Sequence, residues 1–330
     1  MGENLIPVQK KRILSIDVFR GIVIIIMVFV DNISVFDDVP AWSKHALDYG
    51  LTYVDLGVPF FIFAISLTYH MSFKRRKEKF DSITVYLQFL RRYGALMGFG
   101  FLGSVLMTSQ GSLFSWGVLQ AIGFAGIFTL VFIDLKIKIR LLFSLFFLII
   151  YQLLSNFSVL INGNLIIISD LIMIDRNGGI IGGFGWAILM LFSTGIGELF
   201  ENKEMLKILI FGIIFSTGGI ISSFIWGISK HRVNTAFILL SIGLAILAFC
   251  LIWWIYDSKT ITHSRSKIFQ PLGKNSFLFY IIHGLLHILI VILIPKSIGY
   301  LLIIVIGSLN VIFTAAIALI LDKKEIYFII

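Results

Sequence analysis

Apolar residues run along this chain in blocks of about 20, separated by short polar connections. A block of that length spans the roughly 30 Å hydrocarbon core of a bilayer as an α-helix, which pairs its own backbone in lipid. Such blocks lie near 14–36, 53–73, 83–107, 113–133, 139–160, 180–200, 205–227, 234–256, 275–294 and 299–320. The pattern predicts an all-α polytopic membrane helix bundle of about ten transmembrane helices. Residues 1–330 form one domain, because no polar stretch is long enough to fold separately in water.

Composition agrees. The chain is 58% hydrophobic and 14% charged, against roughly a quarter charged in a soluble domain. Its mean hydropathy is +0.99. The single cysteine, Cys250, lies in an apolar run, so no disulfide forms within the chain. The apolar run after Lys10-Lys11-Arg12 is too long for a signal-peptide core and has no small-residue cleavage site behind it.

The net charge of +9 does not point to nucleic acid, because the basic residues sit in the connections and sort by side. With the N-terminus inside, the inner segments hold Lys10, Lys11, Arg12, Lys74, Arg75, Arg76, Lys77, Lys79, Arg91, Arg92, Lys136, Lys138, Arg140, Lys203, Lys207, Lys259, Arg265, Lys267, Lys274, Lys323 and Lys324. The outer segments hold Lys44, Arg176, Lys230, Arg232 and Lys296, and Arg20 lies within the first span. The positive-inside rule then puts both termini in the cytoplasm and favours an even number of spans, and the expected location is the plasma membrane.

Several polar groups sit where a bilayer makes them costly. Asp17 and Arg20 share a face of the first span, as a structural ion pair or with Arg20 meeting an anionic ligand. Asp31 and Asn32 end that span, as interfacial residues or as part of a site with the loop that follows. In that loop His45 is either solvent-exposed or held by Asp55, which opens the second span; a carboxylate on one ring nitrogen leaves the other free as a base near neutral pH. His283 and His287, four apart, are too few for a metal site and read as hydrogen-bonding or tunnel-lining groups. Glu198 reads as interfacial. The cluster Arg75, Arg76, Arg91 and Arg92 either reports topology or captures a phosphate-bearing cofactor, to which guanidinium forks are suited.

Other motifs carry less. Gly94 and Gly98 predict close helix packing within the monomer, or a homodimer face. The glycine-rich run from Gly178 to Trp186 follows an outer loop rather than a strand, so it reads as a flexible start to the sixth span and not as a nucleotide loop. Residues 161–178 form a longer outer loop or an interfacial segment. Trp42, Tyr49 and Trp116 either stack on a sugar or anchor in the interface.

Residues 12–76 carry a family likeness. Asp17-Val18-Phe19-Arg20-Gly21, Lys44-His45-Ala46, Gly50-Leu51-Thr52, Asp55-Leu56 and Pro59-Phe60 closely resemble the opening of the heparan-α-glucosaminide N-acetyltransferase family. Gly117–Phe124 and Pro271–His283 resemble its later segments. Val58 stands where the family usually has Phe, and Leu119-Gln120-Ala121 replaces its Leu-Gln-Arg.

The resemblance implies transfer of an acetyl group from cytosolic acetyl-CoA to an amino sugar or envelope glycan across the bilayer, with O-acyl transfer open. It implies His45 as the active-site residue, with Asp55 orienting it and Asn32 or Asp31 as polar partners. Arg20, Arg75, Arg76, Arg91, Arg92, Gln120, Lys274, Asn275 and His283 are the expected donor contacts, with no metal. The expected form is a bacterial-type member without a lumenal domain, whose pantetheine arm threads the bundle. The rival readings are a proton-coupled transporter of a small polar solute, or a sensor that binds acetyl-CoA without turnover; the lack of a clear inverted repeat counts against the transporter.

Overall fold

A computed structural model describes residues 13–107, 115–161, 164–173, 176–258, 266 and 268–328. Lys10, Lys11, Arg12, Lys259, Arg265, Lys267 and the first two residues of the expected span at 113–133 lie outside them.

The chain is an all-α membrane bundle. Its helices are α1 (Leu14–Ile33), α2 (Gly57–Ser66), α3 (Tyr69–Lys77), α4 (Ser82–Met107), α5 (Val118–Phe132), α6 (Ile137–Ser155), α7 (Ile168–Met173), α8 (Gly179–Glu201), α9 (Met205–Trp226), α10 (Thr235–Tyr256), α11 (Phe269–Lys274), α12 (Ser276–Leu293) and α13 (Tyr300–Lys323). Among the described residues seven segments are long and apolar enough to cross a bilayer: Tyr53–Lys77, α6, α8, α9, α10, α12 and α13. The other three expected spans are helices that fall short of that measure. Asp17, Arg20 and Asp31 charge α1, Arg91 and Arg92 interrupt α4, and α5 has 15 residues.

The centre belongs to α8, whose window is 83% buried, while α12 and α13 are mostly on the outside. Glycines let helices come close. A Cβ on Gly273 of α11 would strike the Asp17 carbonyl of α1, and one on Gly21 would strike Phe269. This contact seats α11 against the inner half of α1.

The connections fall into two polar layers. At one end Asp37 N donates to Lys296 O at 2.9 Å, Gly50 N to Ile228 O at 2.8 Å and Thr235 N to the Gln152 side chain at 3.0 Å. At the other end Lys77 pairs with Asp134 at 2.8 Å, Lys274 with Asp322 at 2.6 Å, and Ser15 N donates to Asp257 at 2.9 Å. The loops that the charge count assigns to one side thus meet one another.

Some expectations change and others gain detail. Residues 158–161 and 164–167 form an antiparallel hairpin, β1 and β2, with Ser158 opposite Ile167, and α7 follows it. The glycine-rich start of α8 is packed, not flexible: Gly178 and Gly185 lie against Val233, and Gly183 against Phe124. Gly94 and Gly98 would meet nothing within 4 Å if given a side chain, so they do not serve packing within the monomer. Glu198, near the C-terminal end of α8, pairs with buried Arg140.

Candidate active site

The first of these polar layers begins where α1 ends. Residues 34–56 cross to α2 with two short 3-10 turns, Ala41–Ser43 and Tyr53–Leu56. Thr52 and Asp55 form a capping box on the second turn: Asp55 Oδ2 accepts from Thr52 N at 3.0 Å and from the Thr52 hydroxyl at 3.2 Å. Thr52 also donates to Lys44 O at 2.8 Å. The cap thereby holds the backbone beside His45 and points the second carboxylate oxygen at it.

His45 Nδ1 lies 2.8 Å from Asp55 Oδ1. An ionised carboxylate only accepts, so Nδ1 carries the proton and Nε2 keeps its lone pair when the ring is neutral. Asp55 is fully buried while His45 is partly open. An immobilised imidazole with one free nitrogen can act as a base or as a nucleophile.

A second histidine–aspartate pair lies nearby, across α1 and α12. His283 Nε2 is 2.9 Å from Asp31 Oδ2, and His283 Nδ1 donates to Tyr280 O at 2.7 Å. Both ring nitrogens face oxygen atoms. His45, His283 and His287 all act electrostatically on Asp31. Asn32 is fully buried; its amide NH2 donates to Val28 O at 2.7 Å, and its Oδ1 has no hydrogen-bond partner among the described residues.

The third component comes from the loop between α9 and α10, which the sequence reading passed over except as topology. Lys230, buried, has its ammonium 3.2 Å from His45 Nδ1 and 3.4 Å from Nε2. His231 Nε2 donates to Ala46 O at 3.1 Å. Arg232 grips both Asp48 oxygens at 2.9 Å, pairs with Asp170, and lies 5.1 Å over the Tyr49 ring. The Arg232 fork holds the Asp48 carboxyl below its usual range, against burial. Burial and the neighbouring Lys230 charge push the His231 imidazole below its ordinary value. The sequence signal was Lys230-His231-Arg232 in a short outer loop, three basic residues where the charge rule favours none.

The remaining expected contacts separate. Arg20 donates to Ala64 O at 3.1 and 3.3 Å and to the Thr68 hydroxyl. Arg76 donates to Gln88 at 2.8 Å, and Arg20, Arg76 and Arg92 all act on the Tyr93 hydroxyl, while Arg75 and Arg91 are exposed. Gln120 is not with them. It sits at the start of α5, accepting from Gly117 N at 3.0 Å and donating to Ser104 and Ser115 at 3.0 and 3.1 Å. Lys274 and Asn275 hold the C-terminal segment through Asp322, Ile326 and Phe328. His283 is at the outer end with Asp31, away from Lys274. Trp116 is buried, whereas Trp42 and Tyr49 are exposed at the rim.

Comparison with known proteins fits this arrangement. Residues 12–215, well over half of the chain, match the family described as heparan-alpha-glucosaminide N-acetyltransferase, catalytic. No curated protein matches the chain.

Proposed function

The chain belongs to the heparan-α-glucosaminide N-acetyltransferase family, a membrane acetyltransferase family, and from that premise we propose that it moves the acetyl group of cytosolic acetyl-CoA to an amino sugar of the envelope on the outer side of the plasma membrane. The observation that carries this reading is the His45–Asp55 pair, with one ring nitrogen fixed on a buried carboxylate. Asp55 orients the ring and balances charge on it, and His45 Nε2 faces the thioester. Asn32 Oδ1, buried and without a hydrogen-bond partner, accepts from the incoming amine, and Asp31 holds its second proton with His283. Trp42 and Tyr49, exposed beside the site, offer faces to a sugar ring.

The donor approaches from the opposite end. Arg20, Arg76 and Arg92 all act electrostatically on Tyr93 and suit the phosphates, with exposed Arg75 and Arg91 drawing the nucleotide in. Arg20 and Asp31 stand eleven residues apart on α1, about 16 Å of helical rise. An extended pantetheine arm fits that interval, and its amides need polar partners between the helices. Gln120, Lys274 and Asn275 are committed to helix and tail contacts, so in this reading they shape the bundle and do not touch the donor.

Purified protein in liposomes loaded with labelled acetyl-CoA should acetylate external glucosamine derivatives. His45→Ala should lose about 10³-fold or more in turnover and still bind acetyl-CoA. Undiminished transfer by His45→Ala would reject the role of that residue, and side-specific labelling that put residue 45 in the compartment of Arg75 would reject transfer across the membrane.

A further inference from the structure

We infer that Lys230 is a catalytic residue of this site: its ammonium receives the negative charge that develops on the acetyl oxygen during transfer. The inference rests on the acyl-transfer reading above and adds the group that reading lacks, a fixed donor for the oxyanion.

The geometry is specific. An ammonium aligned with one ring lone pair would be far from the other nitrogen. Lys230 Nζ is 3.2 and 3.4 Å from the two, so it stands over the face of the His45 ring. There it leaves the Nε2 lone pair open for a reaction partner. It also stands within reach of an oxygen one atom beyond the carbon that Nε2 attacks, where an oxyanion donor belongs.

The charges fit the same role. Asp55, 2.8 Å from His45 Nδ1, also feels the Lys230 charge and compensates the ammonium when no oxyanion is present. His231 and Asp31 also act on this pair electrostatically.

The loop is built to hold the lysine. Asn234 Oδ1 accepts from Ser229 N at 3.3 Å and Phe237 N at 3.1 Å, and its amide donates to Trp226 O at 3.2 Å and Gly227 O at 3.1 Å. Val233, a β-branched residue, adopts φ of +47° and is fully buried against the glycines of α8. That backbone is costly and persists because its surroundings fix it. Arg232 and His231 tie the same loop to the His45 segment.

The bonds balance by either route. If Nε2 is the nucleophile, it forms the N–C bond, the carbonyl π pair moves to oxygen beside Lys230, and collapse expels coenzyme A thiolate and leaves acetyl-imidazolium. The acceptor amine then attacks the same carbon, imidazole departs, and the amine's proton goes to the thiolate. If the amine attacks directly, Nε2 takes its proton, the same oxyanion forms beside Lys230, and the leaving thiolate recovers the proton from the ring. Both routes pass through the charge that Lys230 meets.

The test compares side chains of similar length. Lys230→Met should lower kcat about 10²-fold with little change in KM for acetyl-CoA, and Lys230→Arg should retain more activity than Met. Because either variant can fail to fold, Lys230→Cys is also made in a Cys250→Ala background, where it is the only thiol of the chain. Alkylation with 2-bromoethylamine restores an ammonium and should restore turnover; alkylation with iodoacetamide adds neutral bulk and should not. Full activity in Lys230→Met, or equal rescue by both reagents, overturns the inference. Wild-type protein that transfers no acetyl group from acetyl-CoA to any amine overturns the underlying reading instead.

Discussion

The two histidine–aspartate pairs near the C-terminal end of α1 are built inside out relative to each other. In the first, His45 is 36% exposed and Asp55 0%. In the second, His283 is 6% exposed and Asp31 35%. The first pair hides the acid and presents a ring nitrogen; the second hides the ring and presents a carboxylate oxygen. His45 keeps Nε2 off the carboxylate, whereas both nitrogens of His283 are bonded. The same two residue types therefore present a ring nitrogen turned away from the acid in one place and a ring held at both nitrogens in the other. What differs is which partner the backbone buries: a capping box buries Asp55, while the α1–α12 contact buries His283.

The comparison breaks most sharply at Asp55. In Asp55→Asn an amide can present N–H to Nδ1, which reverses the ring tautomer and puts the proton on Nε2. Turnover should fall about 10³-fold, with the thermal midpoint and acetyl-CoA affinity checked to separate chemistry from folding. A rate near wild type would mean that the carboxylate merely caps its turn. The second pair should respond more mildly. His283→Leu leaves Asp31 without its partner, and kcat/KM should fall about tenfold, about 1.4 kcal/mol of transition-state binding. The loss should appear chiefly as a higher acceptor KM. A collapse of kcat equal to that of His45→Ala would make the two pairs equivalent and remove the distinction.

Much of the frame was readable in the residues, for a physical reason. Lipid demands about 20 apolar residues per crossing, so GIVIIIMVFV and its counterparts announce their own state. The His45–Asp55 pair was also readable, because ten residues separate its members and a short turn brings them together. Lys230 was not. It lies 185 residues from His45, and nothing local says which outer loop will fold over which. Val233 and Asn234 hold that loop by backbone conformation and side-chain bonds to main chain, neither of which shows in a hydropathy pattern. Gly94 and Gly98 misled in the other direction: their spacing suits close packing, but Gly100, Gly123 and Gly126 make the intimate contacts between α4 and α5. The β1–β2 hairpin was hidden because its first strand continues the apolar run of the expected span at 139–160 and its second falls in the stretch read as a loop or interfacial segment.

Gln120 sharpens the contrast between groups that react and groups that hold. Its amide spans Gly117, Ser104 and Ser115 and joins the outer ends of α4 and α5. Gln120→Leu strands a backbone N–H and two acceptors in a buried setting, at a cost of about 1–3 kcal/mol. The thermal midpoint should fall while kcat per folded molecule stays close to wild type. Loss of acetyl-CoA affinity with unchanged stability would return Gln120 to the donor site.

The smallest effect belongs to the latch between residues 44–50 and 228–232, and its sign follows from two groups. His231 is held below its ordinary value of 6.5, first by burial and then by Lys230. The folded chain thus disfavours the imidazolium more than the unfolded chain does. The stability tied to a neutral ring is present above about 6.5 and is lost as pH falls below it. Asp48 is held below 3.8, chiefly by its bond to Arg232. Its contribution is present above that value and disappears as pH falls through the lowered one. Acidification therefore weakens the latch in two stages of the same sign, His231 first. The thermal midpoint in detergent should drop modestly from about pH 7 to about pH 5, with most of that drop absent in His231→Gln, which keeps a donor for Ala46 O but cannot titrate. If the variant loses as much as the wild type, the first stage belongs elsewhere, and the outer pairs themselves are the groups to titrate next.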